Sequence, residues 1–207
     1  MELKMNNINP FKGNSVVIIA PGSEIGYLMD NISSETLICV VGDWAKLKSI
    51  LIPKVISRID FCYPGPSLVI KMNYYGFESS WFPRIRTQNH PRIIIGEKFK
   101  SQTSFYNFDF DWYCNKVGCN LTTGMAAIID VMIGGAKSIS LHGFNFYQNE
   151  IPYIKGYASK FDTRVITATQ GNISGHNQQL LLAYFIEHIY PNVTVDENLE
   201  KIVQSLS

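Results

Sequence analysis

The 207-residue sequence lacks the commonest zinc-holding patterns: it has no C-x-x-C pair, no histidine at zinc-finger spacing and no His-Glu-x-x-His. Its four cysteines, Cys39, Cys62, Cys114 and Cys119, therefore read as free thiols. Cys39, inside the apolar run Leu37–Val41, has the setting of a small buried hydrophobe in a reducing compartment. Charge is also scarce, at 17% of residues with a net of +1, and the basic residues are scattered. That removes the electrostatic footprint of a nucleic-acid binder. No apolar run approaches the roughly 18 residues needed to cross a bilayer, and Met1–Asn7 lacks a signal peptide's apolar core, so a cytoplasmic protein is expected. In that compartment the Asn-x-Ser/Thr matches at Asn31, Asn120, Asn172 and Asn192 read as chance.

What is abundant is core-forming material, with 46% hydrophobic and 13% aromatic residues, enough for a single domain spanning 1–207 with a lid segment at about 146–175. Ser15–Ala20 and Leu37–Val41 are continuous apolar runs, the pattern of strands buried on both faces of a parallel sheet, so the class is α/β. Ile25–Ile32 and Trp44–Ile52 read as the intervening helices, and Ile56–Tyr63 and Ser67–Met72 as further extended segments. Between Asn73 and Gly118 the chain turns aromatic and irregular around one clear strand, Arg92–Ile95, a composition suited to acceptor contacts.

Gly124–Gly134 predicts a helix buried almost all round, capped by Thr122 or Thr123 and ended by Gly134-Gly135. Ser138–His142 follows as a central strand, with His142 a hydrogen-bonded core residue. Asn145–Gly175 is long and poor in apolar residues, which is the profile of a lid. His176–Tyr190 is the final long helix, and 196–207 can form a short amphipathic one.

Several residues could do chemistry, and each has a structural reading beside the functional one. Gly22 and Ser23 follow the first strand, where backbone amides and a helix dipole favour a phosphate, although an ordinary turn uses the same residues. Thr122, Thr123 and Gly124 offer a second helix start with two hydroxyls, and capping alone explains it equally well. His176 stands at a helix start, where the positive dipole end favours the neutral imidazole a general base needs; a lining histidine would look the same. Tyr147 and Tyr153 lie six apart with the polar Gln148, Asn149 and Glu150 between them, so the phenols have no local apolar face. A phenol there can donate to a phosphate oxygen, or it can cover the rim of the core.

Together, Ile139–Asn149 (ISLHGFNFYQN), Tyr153, Thr122-Thr123-Gly124 and Gly175-His176 resemble the bacterial sialyltransferases of glycosyltransferase family 42 and, more distantly, those of family 29. The resemblance covers about Leu121 to Ile189. It implies a Rossmann-like, GT-A-type, inverting transferase that needs neither cofactor nor metal and moves a sialic-acid-type sugar from a CMP-activated donor to a glycan acceptor. In that family pattern His176 deprotonates the acceptor hydroxyl, and Tyr147 and Tyr153 hydrogen-bond the departing phosphate. Gly22, Ser23, Thr122, Thr123 and Gly124 cradle the nucleotide, while Gly143, Phe144 and Asn145 line the donor pocket. Asp43 stands where the family has a donor-contacting asparagine, and Asn120 where it has a basic residue. These two departures keep open another CMP-linked keto sugar such as Kdo as donor, and the altered Ala20-Pro21-Gly22-Ser23 loop keeps open a nucleotide-binding domain without transferase activity. A homo-oligomer is what the family suggests, and the small apolar face of 196–207 gives little support to peripheral membrane attachment.

Overall fold

The computed structural model describes residues 9–22, 32–42, 59–63, 91–94, 104–150, 152–158, 160–172 and 175–206. Its elements run in order β1 (Ser15–Ile19), β2 (Leu37–Val41), β3 (Phe61–Tyr63), β4 (Pro91–Ile94), β5 (Ser104–Phe105), α1 (Phe110–Val117), α2 (Thr123–Ile133), β6 (Ser138–His142), α3 (Lys160–Thr169), α4 (Gln178–Tyr184), β7 (Thr194–Val195) and α5 (Glu197–Gln204). The helices expected over 25–32 and 44–52 and the extended segment 67–72 lie outside the described residues, apart from Ile32.

The strands form one sheet in the order β5-β4-β3-β2-β1-β6-β7. Five neighbours, β3-β2-β1-β6-β7, are parallel and give the 3-2-1-4-5 order of a Rossmann-like α/β fold; β4 and β5 continue one edge antiparallel. The chain steps from β1 to β2 on one side and later lays β6 on the other, so the strand order reverses between β1 and β6. Such a reversal opens a crevice at the carboxyl ends of the two strands, which is where ligands bind in open α/β sheets.

All five residues of β2 are buried, as their continuous apolar run predicts. On one face, Val16, Ile18, Leu37, Cys39, Val41, Phe61, Tyr63, Ile139 and Leu141 share a single core with α2, α4 and α5. α2 is buried from Met125 to Val131, including the carboxylate of Asp130. That carboxylate accepts from the Tyr63 hydroxyl at 2.7 Å and the Asn107 amide at 2.6 Å. A buried charge without such donors would be strongly destabilising; here it fastens α2 to the end of β3. Tyr106 and Phe108, in the aromatic stretch suited to acceptor contacts, are buried in the core, whereas Trp112 is 53% exposed.

Other boundaries and elements differ from expectation. The strand read at 92–95 spans Pro91–Ile94, and Ile95 is outside the described residues. The lid segment is not one long loop, because it contains α3. Thr163, Val165, Ile166, Thr167 and Thr169 are β-branched and weak helix formers, which hid that helix from pattern reading. The last long helix begins at Gln178, with Asn177 as its cap, and passes after Tyr184 into a π turn, Phe185–Ile189. β7 went unforeseen because it is two residues long. The apolar face of α5, Leu199, Ile202 and Val203, is turned into the core. Among the described residues no helix is long and apolar enough to cross a membrane.

His142 is the hydrogen-bonded core residue expected: it is 7% exposed, and its Nε2 lies 2.5 Å from Ser140 Oγ. Its Nδ1 has no hydrogen-bond partner among the described residues. Loss of solvation lowers its pKa to about 4, with the Asp196 carboxylate acting in the opposite direction. The unfolded chain therefore takes up a proton near pH 6.5 that the folded chain refuses until about pH 4. Stability is lost as pH falls through that window and levels off below it, by at most about 3 kcal/mol. Thermal unfolding from pH 7 to 4 should show this slope, and His142→Gln should flatten it.

Candidate functional site

The main chain builds the floor of the crevice. Ala20 N–H donates to His142 O at 2.8 Å and Gly22 N–H to Gly143 O at 2.9 Å, carrying the β1–β6 pairing past the strand ends. A Cβ on Gly22 would overlap the carbonyl of Gly143, so this residue has to be glycine for the two chains to meet. Gly143, in the left-handed region at φ 70°, donates its N–H to Asp196 Oδ2 at 2.6 Å. Asp196 also caps α5, its Oδ1 accepting from Leu199 N–H at 2.9 Å. A single carboxylate thus ties the turn after β6 to the start of α5.

One side of the crevice is the start of α2. Thr122 Oγ1 accepts from Met125 N–H at 3.2 Å, which makes Thr122 the cap. The amides of Thr123 and Gly124, before it, are among those an α-helix leaves without an intrahelical acceptor, and they sit at the positive end of its dipole. Gly124 is small for a local reason, since a Cβ there would press on the Phe144 ring. The smallness of Gly22 and Gly124 therefore serves internal packing first.

The opposite wall is aromatic. Phe146 and Tyr147 are consecutive non-glycine residues in the left-handed region, at φ 46° and 56°. Such conformations cost on the order of 1–2 kcal/mol each and persist only where their surroundings hold them. Asn145 supplies much of the hold: its Oδ1 accepts from Tyr147 N–H at 3.0 Å, its carbonyl from Gln148 N–H at 2.8 Å, and its buried Nδ2 donates to Pro152 O at 2.6 Å. Phe146 is buried against Phe185, with ring centroids 5.1 Å apart, and the Tyr147 ring lies over Gly171, where a Cβ would strike it.

The hydroxyls of Tyr147 and Tyr153 are 2.7 Å apart, their rings edge to face at 5.7 Å, and Tyr157 packs on the far side of Tyr153 at 5.3 Å. The two phenols are thus half-buried against one another and the end of α3, not exposed on a loose segment as the polar residues between them suggested. Burial pushes the Tyr147 phenol above its ordinary pKa, with the Tyr153 hydrogen bond working against it, so the group keeps its proton at neutral pH.

His176 lies one residue before the cap of α4. Its Nδ1 is 2.9 Å from Asn120 O, and Asn120 N–H donates to Gly175 O at 3.1 Å, a reciprocal clasp between the two loops. A carbonyl can only accept, so the proton sits on Nδ1, and the neutral ring presents Nε2 as its basic nitrogen.

These pieces enclose a cavity of about 340 Å³. Gly22, Thr122, Thr123, Gly124, Gly143, Phe144, Asn145, Tyr147, Tyr153 and His176 all line it, so ten residues singled out from four separate stretches of sequence meet at one place. Ser23 and Asp43 lie outside the described residues. Sequence reading missed Gly42, Tyr157, Gly171 and Gln178, which also line it. Tyr157 carried a usable signal, a third phenol four residues after Tyr153 in the same polar stretch. Gln178, 2% exposed with Nε2 3.3 Å from Gly171 O, carried none.

No protein-family model, curated protein or solved structure matches this chain. The cavity combines a helix start, a hydrogen-bonded pair of phenols and an imidazole of fixed tautomer, a set able to stabilise a departing phosphate and take a proton from an attacking hydroxyl. If its floor is set as described, Gly22→Ala cannot be relieved by any rotamer change. It should cost roughly 2–3 kcal/mol, seen as a fall in the thermal unfolding midpoint.

Proposed function

We propose that this protein is a transferase of the GT-A type, moving an acidic keto sugar of the sialic-acid class from a CMP-activated donor to a glycan hydroxyl with inversion. The observation that carries the reading is the convergence in one cavity of His176, with its proton held on Nδ1, and the Tyr147–Tyr153 pair. In the transfer step the acceptor oxygen attacks the anomeric carbon while the bond from that carbon to the phosphate oxygen breaks, its electron pair leaving with CMP. The acceptor proton passes to His176 Nε2.

Charge grows on the phosphate in that transition state, and preorganised donors aimed at it are the largest available source of catalysis. The phenols and the amides at the start of α2 supply such donors, so the reading calls for no metal. In the resting hydrogen bond one phenol donates to the other, so a ligand that accepts from either hydroxyl acts on both. Tyr147 and Tyr153 therefore act as a unit.

Two results follow. With a panel of CMP-sugars, including a sialic acid and Kdo, CMP release that depends on an acceptor should occur and should be unaffected by a chelator. His176→Ala should lower it at least about 100-fold with CMP affinity nearly unchanged; normal transfer by that variant removes His176 as the base. Tyr147→Phe and Tyr153→Phe should each lower turnover about 10- to 100-fold, and the double variant should be little worse than either single one. Fully multiplicative losses would mean two independent donors.

A further inference from the structure

The cavity wall also includes Tyr157. Its hydroxyl lies against the α-carbon of Gly42, the residue that follows β2, in the space a Cβ at position 42 would fill. Gly42 cannot move aside. It sits in the left-handed region at φ 93°, its N–H donates to Tyr63 O at 2.8 Å, and its carbonyl lies 3.5 Å from Cys62 Sγ, so β3 holds it on both sides. Any conflict there has to be resolved by the tyrosine.

Tyr157 also belongs to a short strap over the crevice. Ile154 N–H donates to Pro21 O at 2.9 Å, Tyr157 N–H returns to Ile154 O at 3.1 Å, and Pro152 O is held by Asn145. The strap thus rests on β1 at Ile154 and on β2 at Tyr157, and Tyr153 is clamped between the rings of Tyr147 and Tyr157.

We infer that Tyr157 is a positioning residue, a latch that seats residues 152–158 on the ends of β1 and β2 through Gly42 and so sets where the Tyr147–Tyr153 pair presents its hydroxyl to the donor phosphate. The latch deepens the transferase reading and rests on it only for its effect on turnover. The docking itself is a property of the chain alone.

A double-mutant cycle on Gly42 and Tyr157 tests it. Gly42→Ala puts a methyl onto the phenol oxygen, whereas the next ring atom would be 3.2 Å from that methyl, a tight contact that a few tenths of an ångström relieve. Removing the oxygen with Tyr157→Phe should therefore reseat the strap in the Gly42→Ala background. The left-handed strain of alanine at position 42 is common to both arms and cancels in the cycle.

Amide hydrogen exchange over 152–158, with the Ile154 amide as reporter, reads the docking without any ligand. Exchange should rise about tenfold or more in Gly42→Ala and fall back toward the wild-type rate in Gly42→Ala/Tyr157→Phe. Near-ultraviolet circular dichroism of each variant confirms folding, and if Gly42→Ala does not fold, Gly42→Ser takes its place. In the donor assay Gly42→Ala should lower kcat more than it raises the donor KM, again with partial recovery in the double variant. Additive effects on exchange, or no change at Ile154 in Gly42→Ala, would overturn the latch. If no CMP-sugar is turned over by the wild-type protein, the transferase reading fails, while the exchange cycle still decides whether Tyr157 docks the strap.

Discussion

The backbones of Gly22 and Gly143 meet with no space for a side chain between them, and the rest of the site hangs on that contact. It joins the ends of β1 and β6 at the point where the strand order reverses. Because Gly143 is held there, its N–H reaches Asp196, which fixes α5. The next residue, Phe144, then lies on Gly124, the second residue of α2. Two strand ends and two helix starts are thereby brought to one place by contacts that tolerate little adjustment. The cavity is the space they leave.

Against this rigid floor stands a wall held in a costly conformation. Two successive left-handed residues at Phe146 and Tyr147 require compensation, which comes from Asn145, Phe185 and Gly171. Strain of this kind concentrates where a side chain must point in a direction that ordinary backbone would not allow. Here it turns the Tyr147 phenol onto Tyr153, on the same cavity as the imidazole of His176 and the first turn of α2.

Much of the fold could be read along the chain because its signals are local. Leu37–Val41 is five buried apolar residues in a row, and the helix starting at Thr123 has a capping threonine before it and a glycine after it. α3 was hidden by its β-branched residues, and β7 by its length. The site divides in the same way. Residues whose type already suggests chemistry, such as His176 and the paired tyrosines, could be named in advance. Gln178, Gly171 and Asp196 could not, because their roles depend on partners 7, 24 and 53 residues away. The glycines were anticipated, but for a different purpose: Gly22 and Gly124 were expected as parts of a nucleotide cradle, and their missing side chains are first required by Gly143 and Phe144.

The central claim, that this cavity holds a CMP-type nucleotide with its phosphate between the phenols and the start of α2, is tested most directly by a crystal structure with CMP or an inert CMP-sugar analogue. A phosphate oxygen should accept from a hydroxyl of the Tyr147–Tyr153 pair, at roughly 2.5–3.0 Å, with the nucleoside lying toward Gly22 and the Thr122–Gly124 helix start. Nucleotide bound elsewhere on the protein, or a cavity left empty at saturating CMP, would contradict the account.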